Sequence, residues 1–259
     1  MKSRIILLVA IVGAALAAVS CGGKESYNNN IEPVKPDQTV AHKGPKAVFI
    51  GDSITWQWGL VTRKLKATQQ VIIPIDPLPA WMSISGSDVT VTWHASFFTQ
   101  NNYVDKGVSG ERTDQMLDRY QKDVLSQDPF CIVIMGGTND LAQGYTKDQI
   151  LANIKSMAEQ AAAAKMKVIL CSITPCNMEY SKLTPRPKGT HIVALNKMIK
   201  AYAAEKGFTY CDYYPALVAS DGYSLKDEYC LYDKLHPNPD AYTVMEGIIK
   251  PIIASLLKN

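Results

Sequence analysis

The chain has no block of like charges: 27 Lys and Arg stand against 24 Asp and Glu, a formal net charge of +3 at pH 7. Nothing in that balance attracts a polyanion, so nucleic-acid binding has no electrostatic support. There is no internal repeat and no extended low-complexity region, which excludes a solenoid or array. No cysteines lie at the close paired spacing of a zinc site. Of the six cysteines, five lie beyond Cys21, at 131, 171, 176, 211 and 230, and an odd number excludes complete internal pairing. Cys131, Cys171 and Cys211 sit in apolar strand-like runs, where a thiol packs as a small hydrophobe. Cys176 and Cys230 fall in loops and are the pair that an oxidising compartment could join.

Long apolar runs are confined to the amino end. Lys2 and Arg4 precede the stretch Ile5 to Val19, shorter than the roughly 20 residues that span a bilayer, so residues 1–20 read as an export signal. The run ends at Ala18-Val19-Ser20-Cys21, which resembles the lipobox of bacterial lipoproteins, with Cys21 as the lipidated first residue. Ala18 stands where leucine is usual, and an ordinary cleaved leader is the alternative. The expectation is an exported protein of the cell envelope, periplasmic or at the cell surface, touching membrane only through its anchor. Residues 21–45, polar and proline-containing without helical or strand period, read as a flexible tether.

What remains, residues 46–259, suits one domain of an α/β class, since 47% of the chain is hydrophobic. Short apolar runs at Lys46–Ile50, Phe130–Met135, Lys167–Ile173 and Phe208–Cys211 suit strands buried on both faces. Helical patterns lie between and after them, at Asp114–Leu125, Lys147–Ala164, His191–Lys206 and Asp240–Leu257. The alternation predicts a parallel sheet covered on both sides. Thr146 and Gln149 match a capping box. Residues 67–102 interrupt the rhythm with Pro74, Pro77 and Pro79 and read as an insertion, with an exposed strand or hairpin in Asp88–Trp93.

Three short segments carry chemistry. Ser53 follows a strand at the turn into a helix, which raises its hydroxyl over the carboxyl edge of the sheet. A serine there is commonly only a helix cap. As a nucleophile it needs a base and a group that orients the base, and His236 and Asp233 supply both. A tetrahedral intermediate needs donors at its oxyanion: the side chain of Asn139 and the amides of Gly110 and Ser53. Asp52 and Asp140 flank these positions as supporting turn residues. His42, His94 and His191 have no nearby acid and read as solvated or structural. Trp56, Trp58, Trp81 and Trp93 suit either a sugar or acyl face or ordinary core packing.

Gly51-Asp52-Ser53-Ile54, Gly107-Val108-Ser109-Gly110, Gly137-Thr138-Asn139-Asp140 and Asp233-Lys234-Leu235-His236-Pro237 stand in the order of the four sequence blocks of the SGNH hydrolases, also called GDSL lipases and esterases, which the chain resembles. Asp105, where the second block often has asparagine, and the long insertion depart from the pattern. The resemblance implies a flavodoxin-like three-layer α/β/α fold and hydrolysis of carboxylic esters through an acyl-enzyme on Ser53, with no metal or cofactor. Acetylated glycans are the leading substrate expectation. A lysophospholipase or thioesterase with an acyl groove built from Ile72, Ile73, Ile75, Leu78 and Met82 is one alternative, and a non-catalytic glycan-binding lipoprotein is another.

Overall fold

The structure, a computed structural model, describes residues 41–59, 62–66, 82–85, 88–92, 96–177, 189–231 and 233–258. The expected leader, Cys21, residues 22–40 of the tether, Trp81, Trp93, His94, and the Ile72, Ile73, Ile75 and Leu78 set lie outside them.

Strand β1 (Ala47–Gly51) runs into helix α1 (Ser53–Trp58). Three short strands follow, β2 (Thr62–Lys66), β3 (Met82–Ser85) and β4 (Asp88–Thr92), then α2 (Ser96–Asn101) and β5 (Tyr103–Gly107). The chain continues through α3 (Thr113–Asp118), α4 (Tyr120–Asp123), β6 (Cys131–Met135), α5 (Thr138–Ala142), α6 (Lys147–Ala163) and β7 (Lys167–Cys171). It closes with α7 (Gly189–Lys206), β8 (Thr209–Cys211), α8 (Tyr214–Leu217) and α9 (Pro239–Leu256).

The main sheet has the order β5-β1-β6-β7-β8 and every pairing in it is parallel. Alternate residues of each strand feed two cores. Ala47, Phe49, Val133 and Ile169 pack with Trp58 of α1, Phe97 and Phe98 of α2 and Tyr242 of α9. Val48, Ile50, Ile132 and Leu170 pack with Met116, Ile154 and Ile199 from α3, α6 and α7. Helices therefore cover both faces, the three-layer α/β/α arrangement the alternating runs predict. The Thr146–Gln149 capping box opens α6, with the threonine hydroxyl accepting from the Gln149 amide at 3.2 Å.

Four expectations need correction. Strand β5 was not among the expected strands: Tyr-Val-Asp-Lys-Gly lacks a continuous apolar run because it lies at the edge of the sheet and is only partly buried. The helix expected over Asp114–Leu125 breaks at Arg119, where φ is −95° and ψ 0°. The insertion is wider and more integrated than its composition suggests. Thr62–Lys66 joins Asp88–Thr92 and Met82–Ser85 in an antiparallel sheet with β4 at its centre, while Phe97 and Phe98 belong to the main core. Residues 42–45 of the expected tether are fastened: Nδ1 of His42 lies 2.6 Å from Asp128 Oδ1, and the Lys43 and Gly44 amides donate to Asp128 Oδ2 and O. These bonds reach across more than 80 residues, so no local pattern announces them.

Among the described residues, none of the five cysteines at 131, 171, 176, 211 and 230 is in a disulfide. Cys176 packs with the core shared by α3, α6 and α7 and Cys230 with the other core, and the pair that loop position suggests is not joined. Cys230 Sγ instead donates to the Lys226 carbonyl at 3.2 Å.

Candidate active site

In a parallel sheet, a strand whose two neighbours are reached in opposite directions opens a crevice at its carboxyl end. β1 is that strand: the chain passes from it to β5 on one side and then to β6 on the other. Gly51 at its end pairs with Gly107 and Met135, and the loops after those two residues carry Gly110 and Asn139.

Asp52, not Ser53, caps α1. Its Oδ1 accepts from the Ile54 amide at 2.9 Å, which leaves Ser53 as the first helical residue with a hydroxyl free of capping duty. Ser53 Oγ lies 2.9 Å from His236 Nε2, and His236 Nδ1 lies 2.5 Å from Asp233 Oδ2. Asp233 Oδ1 also accepts from the amides of Leu235 and His236, at 3.0 and 2.9 Å. The turn that folds aspartate back onto histidine needs a left-handed residue, and Lys234 supplies it at φ +56°. A lysine in that region carries roughly 1 kcal/mol of strain, held in place by the surrounding bonds. Past it, Leu231 donates to the His236 carbonyl at 2.8 Å and Asn238 caps α9 by accepting from Ala241 at 3.0 Å, so the histidine is pinned on both sides.

The oxyanion donors come from the flanking loops. Gly110 has φ +82°, and a Cβ there would meet nothing within 4 Å; the backbone conformation, not crowding by the protein, is what calls for glycine. Asn139 lies in the first turn of α5, and its Nδ2 donates to the Glu111 carbonyl at 2.8 Å. An amide nitrogen has two hydrogens, so one remains for a ligand. Ser53 opens α1, and its backbone N–H is one of the first-turn donors for which a helix has no acceptor.

The flanking carboxylates are bound from within. Asp140 accepts from Thr113 three times, from the amide at 3.0 and 3.1 Å and from the hydroxyl at 2.6 Å, joining the Asn139 loop to the start of α3. Burial raises its carboxyl above the ordinary value. Burial, opposed by the Ile54 amide and the charge of His236, lifts Asp52 to about 6. Burial also disfavours charge on Asp233, but its bond to His236 and the two backbone amides outweigh that and hold it below the ordinary carboxylate value. Among the described residues, no cluster of three His, Cys, Asp or Glu is placed to hold a metal ion, and no helix is long and apolar enough to cross a membrane.

Trp58 is a core residue, not a platform: it is 2% exposed, stacks on Phe97 and donates from Nε1 to Glu246 at 3.0 Å. His191 is exposed on α7. Sequence reasoning missed Thr113, Glu111 and Arg119, whose contacts with the site loops leave no spacing signal.

A family model for the GDSL-like lipase/acylhydrolase family matches residues 49–244. The chain belongs to that family. A GDSL-like lipase from Bacteroides thetaiotaomicron is 30% identical to this family member, with a TM-score of 0.65 over 84% of this chain and 92% of its own. A lipase/acylhydrolase from Enterococcus faecalis (21% identity, TM-score 0.57, 81% and 96% covered) shares the fold. So does an acetylxylan esterase from Geobacillus stearothermophilus, solved as a catalytic mutant (19% identity, TM-score 0.56, 83% and 96% covered). No curated protein matches at the level of sequence. The GDSL/SGNH acylhydrolases are ester hydrolases, and this chain is an enzyme of that type.

Proposed function

We propose that this family member is an exported serine esterase that removes acetyl groups from glycans. The hydrogen-bonded chain Ser53–His236–Asp233 carries the esterase part of the reading. Ser53 Oγ attacks the ester carbonyl while His236 Nε2 takes its proton, and Asp233 keeps the proton on Nδ1 and favours the imidazolium. The developing oxyanion is met by the amides of Ser53 and Gly110 and by Asn139 Nδ2, in a crevice where such donors act strongly. Collapse expels the alcohol, which receives its proton from His236. Water, activated by the same histidine, then cleaves the acyl-enzyme to free acid and restores Ser53.

The acetyl part rests on two supports. Among the described residues, the exposed large hydrophobics are Val108, Tyr223 and Leu257, on three separate segments. An acetylxylan esterase is among the structures that share the fold. Export and anchoring through Cys21 complete the reading, with glycan esters of the envelope or its surroundings as the substrate class.

The test is hydrolysis of nitrophenyl esters from acetate to palmitate, followed by acetylated oligosaccharides, with Ser53→Ala alongside. Activity confined to acetate, extending to the oligosaccharides and lost in the variant, supports the proposal. A maximum at long chains moves the substrate to lipid or thioesters, and sugar binding without Ser53-dependent turnover moves the protein to a glycan-binding role.

A further inference from the structure

Arg119 is the most heavily engaged cation beside the site. Its Nε donates to both carboxylate oxygens of Glu111, at 2.9 and 2.8 Å, and its Nη2 lies 2.7 Å from Glu111 Oε2. Nη1 donates to Asp123 Oδ2 at 2.9 Å, and Nη2 donates to the Lys106 carbonyl at 2.7 Å and the Gly51 carbonyl at 3.4 Å. Its side chain is 16% exposed and that of Glu111 14%. The helix expected to run through this region gives way at Arg119 itself.

The acceptors are the informative part. Gly51 and Lys106 lie at the carboxyl ends of β1 and β5, one strand delivering Ser53 and the other delivering Gly110. Glu111 follows Gly110 directly, and its carbonyl receives the Nδ2–H of Asn139 at 2.8 Å. A shift of Glu111 would therefore move the Gly110 amide through the shared peptide bond and re-aim the Asn139 amide through the hydrogen bond. Surface ion pairs are weak, but a fork-shaped guanidinium held by carboxylates and two strand carbonyls at low exposure fixes direction as well as distance.

We infer that Arg119 is a positioning residue for this enzyme's oxyanion hole, acting through Glu111 on two of its three donors at once. The pair never touches substrate. The inference rests on the esterase reading above, in which Gly110 and Asn139 meet the oxyanion. Misplacing preorganised donors by about 1 Å loses on the order of a hundredfold in rate, and the loss falls on the transition state, not on ground-state binding.

The experiment compares wild type, Arg119→Ala, Glu111→Ala and Glu111→Gln for kcat and KM on nitrophenyl acetate and for inhibition by a boronic acid that mimics the tetrahedral intermediate. Glu111→Ala releases the loop while leaving Arg119 its bonds to Asp123 and the strand ends, so it stands as the second route if Arg119→Ala folds poorly. Ile253→Ala, a buried α9 position on the other face of the sheet, serves as the control for lost stability alone. Both alanine variants at the pair are expected to lower kcat by roughly tenfold to a hundredfold, with KM within about twofold and boronate affinity reduced by the same factor as kcat. Glu111→Gln, which still accepts from the guanidinium, recovers most of the rate. An unchanged kcat, a loss that appears in KM alone, or a loss that the control reproduces at equal melting temperature overturns the inference. Ser53→Ala retaining activity would instead sink the underlying esterase reading, whatever the pair does.

Discussion

Asp233 holds His236 twice over: one carboxylate oxygen sits 2.5 Å from the imidazole Nδ1 and the other accepts the histidine's own backbone amide at 2.9 Å. The aspartate thus fixes both the ring's tautomer and the turn that presents it, with Lys234 in left-handed conformation between them. A single carboxylate fixes both, because only Lys234 and Leu235 separate the two residues and the turn closes on itself.

Replacing Asp233 by asparagine preserves the size of the side chain and part of the turn but removes the charge and the acceptor that set the tautomer. The expected outcome is a fall in kcat of about 10⁴-fold with little change in KM, read from steady-state hydrolysis of nitrophenyl acetate. A loss below tenfold would mean that the Nδ1 contact does not govern the proton's position.

Asp52 makes stability depend on pH in a definite sense. Burial raises its folded pKa from the ordinary 3.8 to about 6, so the folded state keeps a proton that the unfolded state releases. The associated stability is complete below about pH 3.8 and is lost as pH rises through about 6. Asp105, lifted by burial to about 6 as well, adds a parallel contribution. Asp52→Asn should remove part of the decline between pH 4 and 7, up to about 3 kcal/mol, less whatever the weaker cap loses. Urea midpoints across that range decide it; identical pH slopes for the two proteins would exclude the assignment.

The thiols provide a chemical check on the packing. Cys176 and Cys230 are both buried, each packed with a different core, and burial pushes the Cys230 thiol up to about 12. Neither should react with iodoacetamide in the folded protein, and both should be alkylated after unfolding without reductant. A Cys176–Cys230 peptide surviving non-reducing digestion would contradict the structure.

Trp58 should report on stability alone. It fills the core between β1, α2 and α9, stacked on Phe97 and edge-on to Phe49. Trp58→Ala is expected to lose about 3–5 kcal/mol, with Glu246 left without its indole donor as well. The milder Trp58→Phe should lower the melting temperature while leaving KM for acetylated sugars where it was. A KM change without a melting change would return the residue to the binding surface.

Much of the fold was legible because its signals are local. Four of the five main strands coincide with the apolar runs, β1 and β6 buried along their whole length, and the Thr146–Gln149 box starts α6 where its two side chains say it must. β5 was not legible, since an edge strand with one neighbour need not be apolar throughout and Asp105 and Lys106 masked it. The break at Arg119 was invisible for a different reason: residues 114–125 keep a helical period, while the Arg119 side chain is held by Glu111 and the Lys106 carbonyl, acceptors outside that stretch.

The site divides along the same line. Ser53 at a strand-to-helix turn and the Asp233–His236 spacing are properties of a few consecutive residues, and the sequence by itself determined them. That Nε2 of His236 comes within 2.9 Å of an oxygen 183 residues away, that Asp52 takes the cap and frees Ser53, and that Glu111 links Asn139 to Arg119 were decided only by the tertiary structure. Short-range geometry follows from backbone sterics and turn chemistry, whereas long-range partners are chosen by how the parallel sheet orders its strands, and that order is written in no single segment.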